Sequence, residues 1–142
     1  MSEQENMAAV QEIFNAYSKG DLTILDQYCA PNFVRQLVGM PPMGKDEYLG
    51  LLKGLGMDQG TTKSTVDEMI ADGDRVAFRV THVMTHSIPV MGIPPTGKTI
   101  TVHEAYFSRF VDGKIAEWWC LGDMLALYQG LGIQPPPPPA SD

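Results

Sequence analysis

Two segments set the fold class: Arg75-Val-Ala-Phe-Arg-Val-Thr-His-Val-Met-Thr-His86 and Thr99-Ile-Thr-Val-His-Glu-Ala-Tyr-Phe-Ser-Arg-Phe110, joined through the turn Gly92-Ile-Pro-Pro-Thr-Gly-Lys98. In both, apolar and polar residues alternate, the two-residue period of a strand with one dry face and one wet face. A second turn, Asp112-Gly113, leads into a third strand, and a short last helix ends at Gly130-Leu-Gly132. Residues 72–132 therefore read as a strand frame closed by a helix, and the residues before them are expected to cover that sheet.

Working outward toward the N-terminus, Val10, Ile13, Phe14 and Tyr17 fall at i, i+3, i+4 and i+7, the apolar stripe of a helix that Lys19-Gly20 can end. Asp21 is placed to cap a second, shorter helix carrying Leu22, Leu25 and Tyr28, which Ala30-Pro31-Asn32 interrupts. A short strand is expected over 33–38. Tyr48, Leu49, Leu51, Leu52 and Leu55 predict a third helix over 45–54, and the cluster of Gly54, Gly56 and Gly60 predicts a mobile loop after it. A ragged, β-branched stretch over 61–70 reads as one more strand, turned by Asp72-Gly73 into the long pair. Helices first and antiparallel strands after them indicate an α+β domain.

The chain has 142 residues, 44% of them hydrophobic, enough for one substantial core and too few for two ordinary domains. One domain is expected over 1–133, followed over 134–142 by a proline-rich, disordered tail of polyproline II character. A formal charge of −7 argues against nucleic acid as a partner, because phosphate neutralisation needs concentrated Lys and Arg. A small neutral or cationic molecule or another protein is easier to accommodate. The acidic, polar start lacks the pattern of a secretory signal, and no apolar run approaches the roughly 20 residues that span a bilayer, so no membrane partner is expected. Two distant cysteines, Cys29 and Cys120, suit reduced thiols and a cytoplasmic location.

Gly73-Asp-Arg-Val76, Thr85-His86, Met91-Gly-Ile-Pro-Pro-Thr-Gly97, Val111-Asp-Gly-Lys-Ile115, Glu117, Trp119, Asp123 and Leu131-Gly132 resemble the SnoaL-like polyketide cyclase family, as do Lys19-Gly-Asp21 and Ala30-Pro-Asn-Phe33. The resemblance covers almost the whole chain. It implies the cone-shaped α+β barrel shared with nuclear transport factor two, ketosteroid isomerase and scytalone dehydratase, a curved, mostly antiparallel sheet wrapped around N-terminal helices. It also implies a homodimer through the outer sheet face, and an apolar pocket between the sheet and the helices that suits a hydrophobic small molecule.

Fold alone does not establish chemistry. The aspartate that serves as general acid/base in the family's cyclases corresponds here to Cys120, and the histidine one strand earlier to Tyr106. A thiol in an apolar pocket carries little thiolate, so Cys120 cannot simply replace a carboxylate. Tyr106 can donate to an enolate oxygen or act as a core residue. The place of the ketosteroid isomerase base falls near Gln36, which cannot take a proton but can bind a carbonyl and, with Arg35, orient an acidic ligand.

His82 and His86 share the face of Val76, Phe78, Val80 and Met84 and are candidates to look into the barrel mouth as acid/base groups, or to hydrogen-bond a neighbouring loop. Glu104 shares the face of Tyr106, where an apolar cavity would raise its pKa as a general base requires; the alternative is a rim carboxylate paired with an arginine. His103 falls on the opposite face. Asp123 joins the acid/base candidates but is also placed to N-cap the last helix. Trp118 and Trp119 must face opposite ways, one toward the pocket.

The catalytic candidates are thus Tyr106, His86, His82, Glu104 and Asp123, with Tyr17, Gln36, Met84, Met91, Trp118 and Cys120 as ligand contacts. No metal set and no phosphate-binding glycine loop emerges, so neither a metal nor another cofactor is expected. The leading expectation is a SnoaL-like cyclase or isomerase acting by acid/base chemistry on an enolisable or polyene small molecule. A small-ligand-binding protein without turnover and a protein-interaction module are the rivals.

Overall fold

A computed structural model describes residues 2–134, 139 and 140. Most of the expected proline-rich tail therefore lies outside the described residues. Among those described, the order is α1 (Glu3–Ser18), α2 (Ile24–Tyr28), β1 (Cys29–Leu37), α3 (Lys45–Gly54), a 3-10 turn (Met57–Gln59), β2 (Thr62–Asp72), β3 (Arg75–Thr85), β4 (Thr99–Val111), β5 (Lys114–Gly122) and α4 (Met124–Leu131).

The strands form one sheet in the order β1-β5-β4-β3-β2. Only β1 with β5 is parallel; the other neighbours are antiparallel. Register shifts at Val66/Glu68 in β2 and Arg109/Phe110 in β4 are the irregularities that bend such a sheet, which is curved and unclosed. Asp112 (φ 50°) and Gly113 (φ 76°) both take left-handed backbone, the type I′ geometry whose twist matches a two-residue hairpin between β4 and β5.

One face of the sheet is dry because α1 lies on it. Val10, Ile13, Phe14 and Tyr17 are all at most 1% exposed, as their helical spacing requires. Phe14 is the hub: its ring lies 5.5 Å from Phe78, 5.8 Å from Tyr106 and 5.9 Å from Trp118. At the other end of the sheet α4 approaches β4 closely, since a Cβ on Gly130 would stand 2.6 Å from Ile100 Cγ2. Asp123 caps α4, its Oδ1 accepting from the Ala126 amide at 3.1 Å.

Three local expectations change. β1 begins at Cys29, not at residue 33, and carries Pro31 without penalty because it is an edge strand and Pro31 lies in its exposed part. The glycine-rich segment after α3, expected as a loop, contains a 3-10 turn between left-handed Gly56 and Gly60 that buries Met57. Asp21 does not cap α2 directly: it accepts from Thr23, and Thr23 occupies the cap position.

Candidate functional site

Between the dry face of the sheet and helices α3 and α4 lies a cavity of about 170 Å³. Its walls are apolar, among them Leu37, Leu52, Leu55, Met57, Met84 and Leu127. Met40 and Met91, close to half exposed, stand at its mouth on the segments that follow β1 and β3. Met91 holds a left-handed backbone (φ 51°), uncommon for a residue with a side chain.

The polar lining comes from Tyr17, Arg35, Tyr48, His82, Glu104 and Tyr106. Glu104 is its centre. Oε1 accepts from His82 Nε2 at 2.6 Å and from the Tyr106 hydroxyl at 2.9 Å. Oε2 accepts from Arg35 Nη2 at 3.3 Å and from Cys120 Sγ at 3.2 Å. Sheet order explains the convergence: β1, β5, β4 and β3 are consecutive neighbours, and inward positions on each contribute Arg35, Cys120, Glu104 with Tyr106, and His82. On the next strand Ser64 pairs in register with His82 and meets its Nδ1 through Oγ at 2.8 Å. A single polar row thus crosses all five strands.

Burial works to raise the pKa of Glu104, but the hydrogen bond and charge of His82, the Arg35 guanidinium and the Cys120 hydrogen bond outweigh it and hold the carboxyl down at about 2. Of the two readings of Glu104, the arginine-paired carboxylate is the one found, with Arg35 as the arginine, rather than the raised pKa of a lone buried carboxyl: the cavity is apolar, but the carboxylate meets four donors inside it. Burial and then the Glu104 charge push the Tyr106 phenol well above its ordinary value, leaving it a permanent donor. Burial and the Glu104 carboxylate likewise raise Cys120, which stays a thiol. Burial opposes the Arg35 charge, but Tyr106, Tyr48, Cys120 and Glu104 around it raise its pKa overall. Its guanidinium carbon also sits 4.6 Å over the Tyr48 ring, and Tyr48 and Tyr17 join hydroxyls at 3.0 Å.

Of the residues singled out from sequence, Tyr17, His82, Met84, Met91, Glu104 and Tyr106 line this cavity. Five do not. His86 is buried at the strand end, its Nδ1 2.9 Å from Thr96 Oγ1, beside a separate small crevice with Ile100 and Leu131. Gln36 points the other way along β1 and donates to the Met40 carbonyl at 2.9 Å, because the two-residue period puts Arg35, not Gln36, in phase with Phe33 and Leu37. Trp118 is fully buried under the cavity floor, packed on Phe14, Tyr48 and Tyr106. Cys120 lies behind Glu104 as its donor and touches no open space, and Asp123 is occupied as a helix cap. His103 is on the outer face against Thr81, as its alternation requires. Among the described residues no three metal-ligating side chains cluster, and no helix is long and apolar enough to cross a membrane.

Sequence reasoning gave Arg35 only an accessory part and passed over Ser64 and the polar end of Tyr48. The signal for Arg35 was present: a cation in phase with Phe33 and Leu37 on a strand is aimed into the core and must meet a counter-charge there. Ser64 carried no comparable signal, since a serine on a strand is ordinary.

Comparison with known proteins agrees with the fold. The family model for the SnoaL-like polyketide cyclase matches residues 7–131. Among solved structures, AclR of Streptomyces galilaeus, a hydroxylase candidate, is 30% identical with a TM-score of 0.82, over 96% of this chain and 91% of its own. IdmH of Streptomyces antibioticus, a polyketide cyclase candidate, is 29% identical with a TM-score of 0.73, over 90% and 99%. An LEH-like epoxide hydrolase of M. tuberculosis, 18% identical with a TM-score of 0.67 over 91% and 90%, shares the fold. No curated protein sequence matches the chain.

Proposed function

This chain belongs to the SnoaL-like polyketide cyclase family, and we propose that it carries out cofactor-independent acid/base chemistry on an enolisable, polyketide-like hydrophobic molecule. The observation that carries the reading is a carboxylate held ionised by four donors on the wall of an apolar cavity. A ligand carbonyl that takes the Tyr106 hydroxyl hydrogen bond removes one of those four donors from Glu104. The uncovered Oε1 lone pair becomes more basic and lies beside the carbon next to that carbonyl. Glu104, supported by His82, then takes the carbon-bound proton while Tyr106 holds the enolate oxygen, and the same proton returns when a ring closes or a double bond moves. The Glu104–His82 pair replaces the aspartate that the family's cyclases carry at the position of Cys120.

Size narrows the ligand. An apolar cavity of about 150 Å³ holds a single benzene ring, so a cavity of about 170 Å³ encloses one ring and its carbonyl. A larger substrate extends past Met40 and Met91. The saturation of Glu104 supports a second reading, ligand binding without turnover. Deuterium uptake at the α-carbon of 2-tetralone in heavy water, followed by NMR, separates the two. Turnover is expected to raise the uptake rate above buffer, with losses of about 10²-fold or more in Glu104→Gln and Tyr106→Phe, the usual range for one positioned acid/base group. Binding with no acceleration would favour the second reading, and neither binding nor acceleration would reject both.

On the outer face Val83, Phe107, Trp119 and Leu121 are exposed, with Phe107 and Trp119 rings 5.7 Å apart. They support a homodimer through that face. Sedimentation should show a dimer that Phe107→Glu converts to a monomer; a monomeric wild type would end the idea.

A further inference from the structure

Ser64 belongs at once to the polar row inside the protein and to a shallow cleft on its surface, lined also by Asn15, Ser18, Lys19 and Lys63. Its backbone is fixed there, and its hydroxyl is turned to His82. The Ser64 amide donates to Ser18 Oγ at 2.9 Å and the Ser18 hydroxyl donates back to the Ser64 carbonyl at 3.1 Å, pinning β2 to the end of α1. Because Glu104 is ionised and can only accept, His82 must donate to it through Nε2–H. In the Nε2–H tautomer of the ring, Nδ1 is an acceptor and takes the Ser64 hydroxyl hydrogen bond at 2.8 Å. In that tautomer the donor direction is continuous from Ser64 to the cavity.

The geometry points to Ser64 and His82 as a proton relay that connects Glu104 to solvent on the side of the sheet edge, independent of the cavity mouth. A solvent acid in the cleft gives a proton to Ser64 Oγ, the Ser64 hydroxyl proton passes to His82 Nδ1, and the Nε2 proton passes to Glu104 Oε1. Each hop breaks one O–H or N–H bond and forms one, and the conjugate base of the solvent acid remains outside; the return path is the reverse. The use of such a relay follows from the cavity. A hydrophobic ligand that fills about 170 Å³ and extends past Met40 and Met91 covers the side of Glu104 that faces the cavity and cuts its exchange with water there. Ser64 is a positioning and relay residue in this scheme and does not touch the ligand.

The relay's part in turnover rests on the acid/base reading above, whereas the proton path itself does not, and the test reads the path alone. Exchange of the His82 ring Nε2 proton for deuterium, measured by ¹⁵N-edited NMR on the full chain without substrate, must pass through protonation at Nδ1. Ser64→Thr and Ser64→Val place the same atoms in the same space and differ only in the hydroxyl, so any packing cost is shared. The valine variant is expected to exchange at least tenfold more slowly than the threonine variant, and the wild-type rate is expected to stay within twofold when naphthalene is added to fill the cavity. Equal rates in the two variants, or a tenfold fall in the wild type with naphthalene, would overturn the relay. Either result leaves the 2-tetralone experiment untouched, so the two ideas fail separately.

Discussion

His82 and His86 lie four residues apart on one strand direction, on the same face, at 7% and 3% exposure, yet they belong to different parts of the molecule. Around His82 five strands contribute polar groups to one row, and the ring stands between a hydroxyl and a carboxylate. Around His86 the neighbours are apolar, Ile100, Leu127 and Leu131, and the ring holds the 86–98 loop through the Thr96 hydroxyl. Face and burial do not make a histidine reactive. What separates the two rings is the charged partner across the sheet, and that partner is set by which strands are neighbours.

The comparison can be broken at either end. The largest effect is expected for Glu104→Leu, which strands the Arg35 charge in the core. Removing one partner of a buried ion pair costs about 3–5 kcal/mol, readable as a lower denaturation midpoint. A loss below about 1 kcal/mol would mean that the row is not an electrostatic unit. At the other end Gly130→Ala drives a methyl into Ile100, 2.6 Å from Cγ2, and overpacking of this kind costs about 1–3 kcal/mol. The loss should appear in stability with 2-tetralone exchange retained in the folded fraction. The smallest effect is expected for Thr96→Val, which removes one hydroxyl from His86 and costs about 0.5–1.5 kcal/mol. If Thr96→Val lowered 2-tetralone exchange tenfold, His86 would belong to the site after all.

The strand frame was legible because its signal is local: alternation in Val76, Phe78, Val80 and Met84, and the turn Asp112-Gly113, need no partner to be read. Tyr106, His82 and Glu104 were legible as a shared inward face for the same reason. Gln36 stood in for Arg35 because its place matched that of the ketosteroid isomerase base, although alternation with Phe33 and Leu37 already put Arg35 on the inward face. The other misplacements have nonlocal causes. Trp118 was placed in the pocket because alternation says which face it takes, but not that Phe14 and Tyr48 cover it there. For Glu104 the choice between a raised pKa and an arginine partner stayed open because burial is visible from hydrophobic neighbours, whereas its four donors come from residues 35, 82, 106 and 120, three of them on other strands.

The account turns on Glu104 being an anion within an apolar cavity. Because folding lowers its pKa, ionised Glu104 favours the folded state above its unfolded-state pKa of about 4.3, and that contribution is lost as pH falls through about 2. The ¹³C shift of the Glu104 carboxyl, followed with pH in the folded protein, tests this most directly. The expected result is a carboxylate still ionised at about pH 3.5, below the ordinary glutamate pKa. A carboxyl that protonates above about pH 4.5, as burial alone would dictate, would contradict the four-donor site and the chemistry built on it.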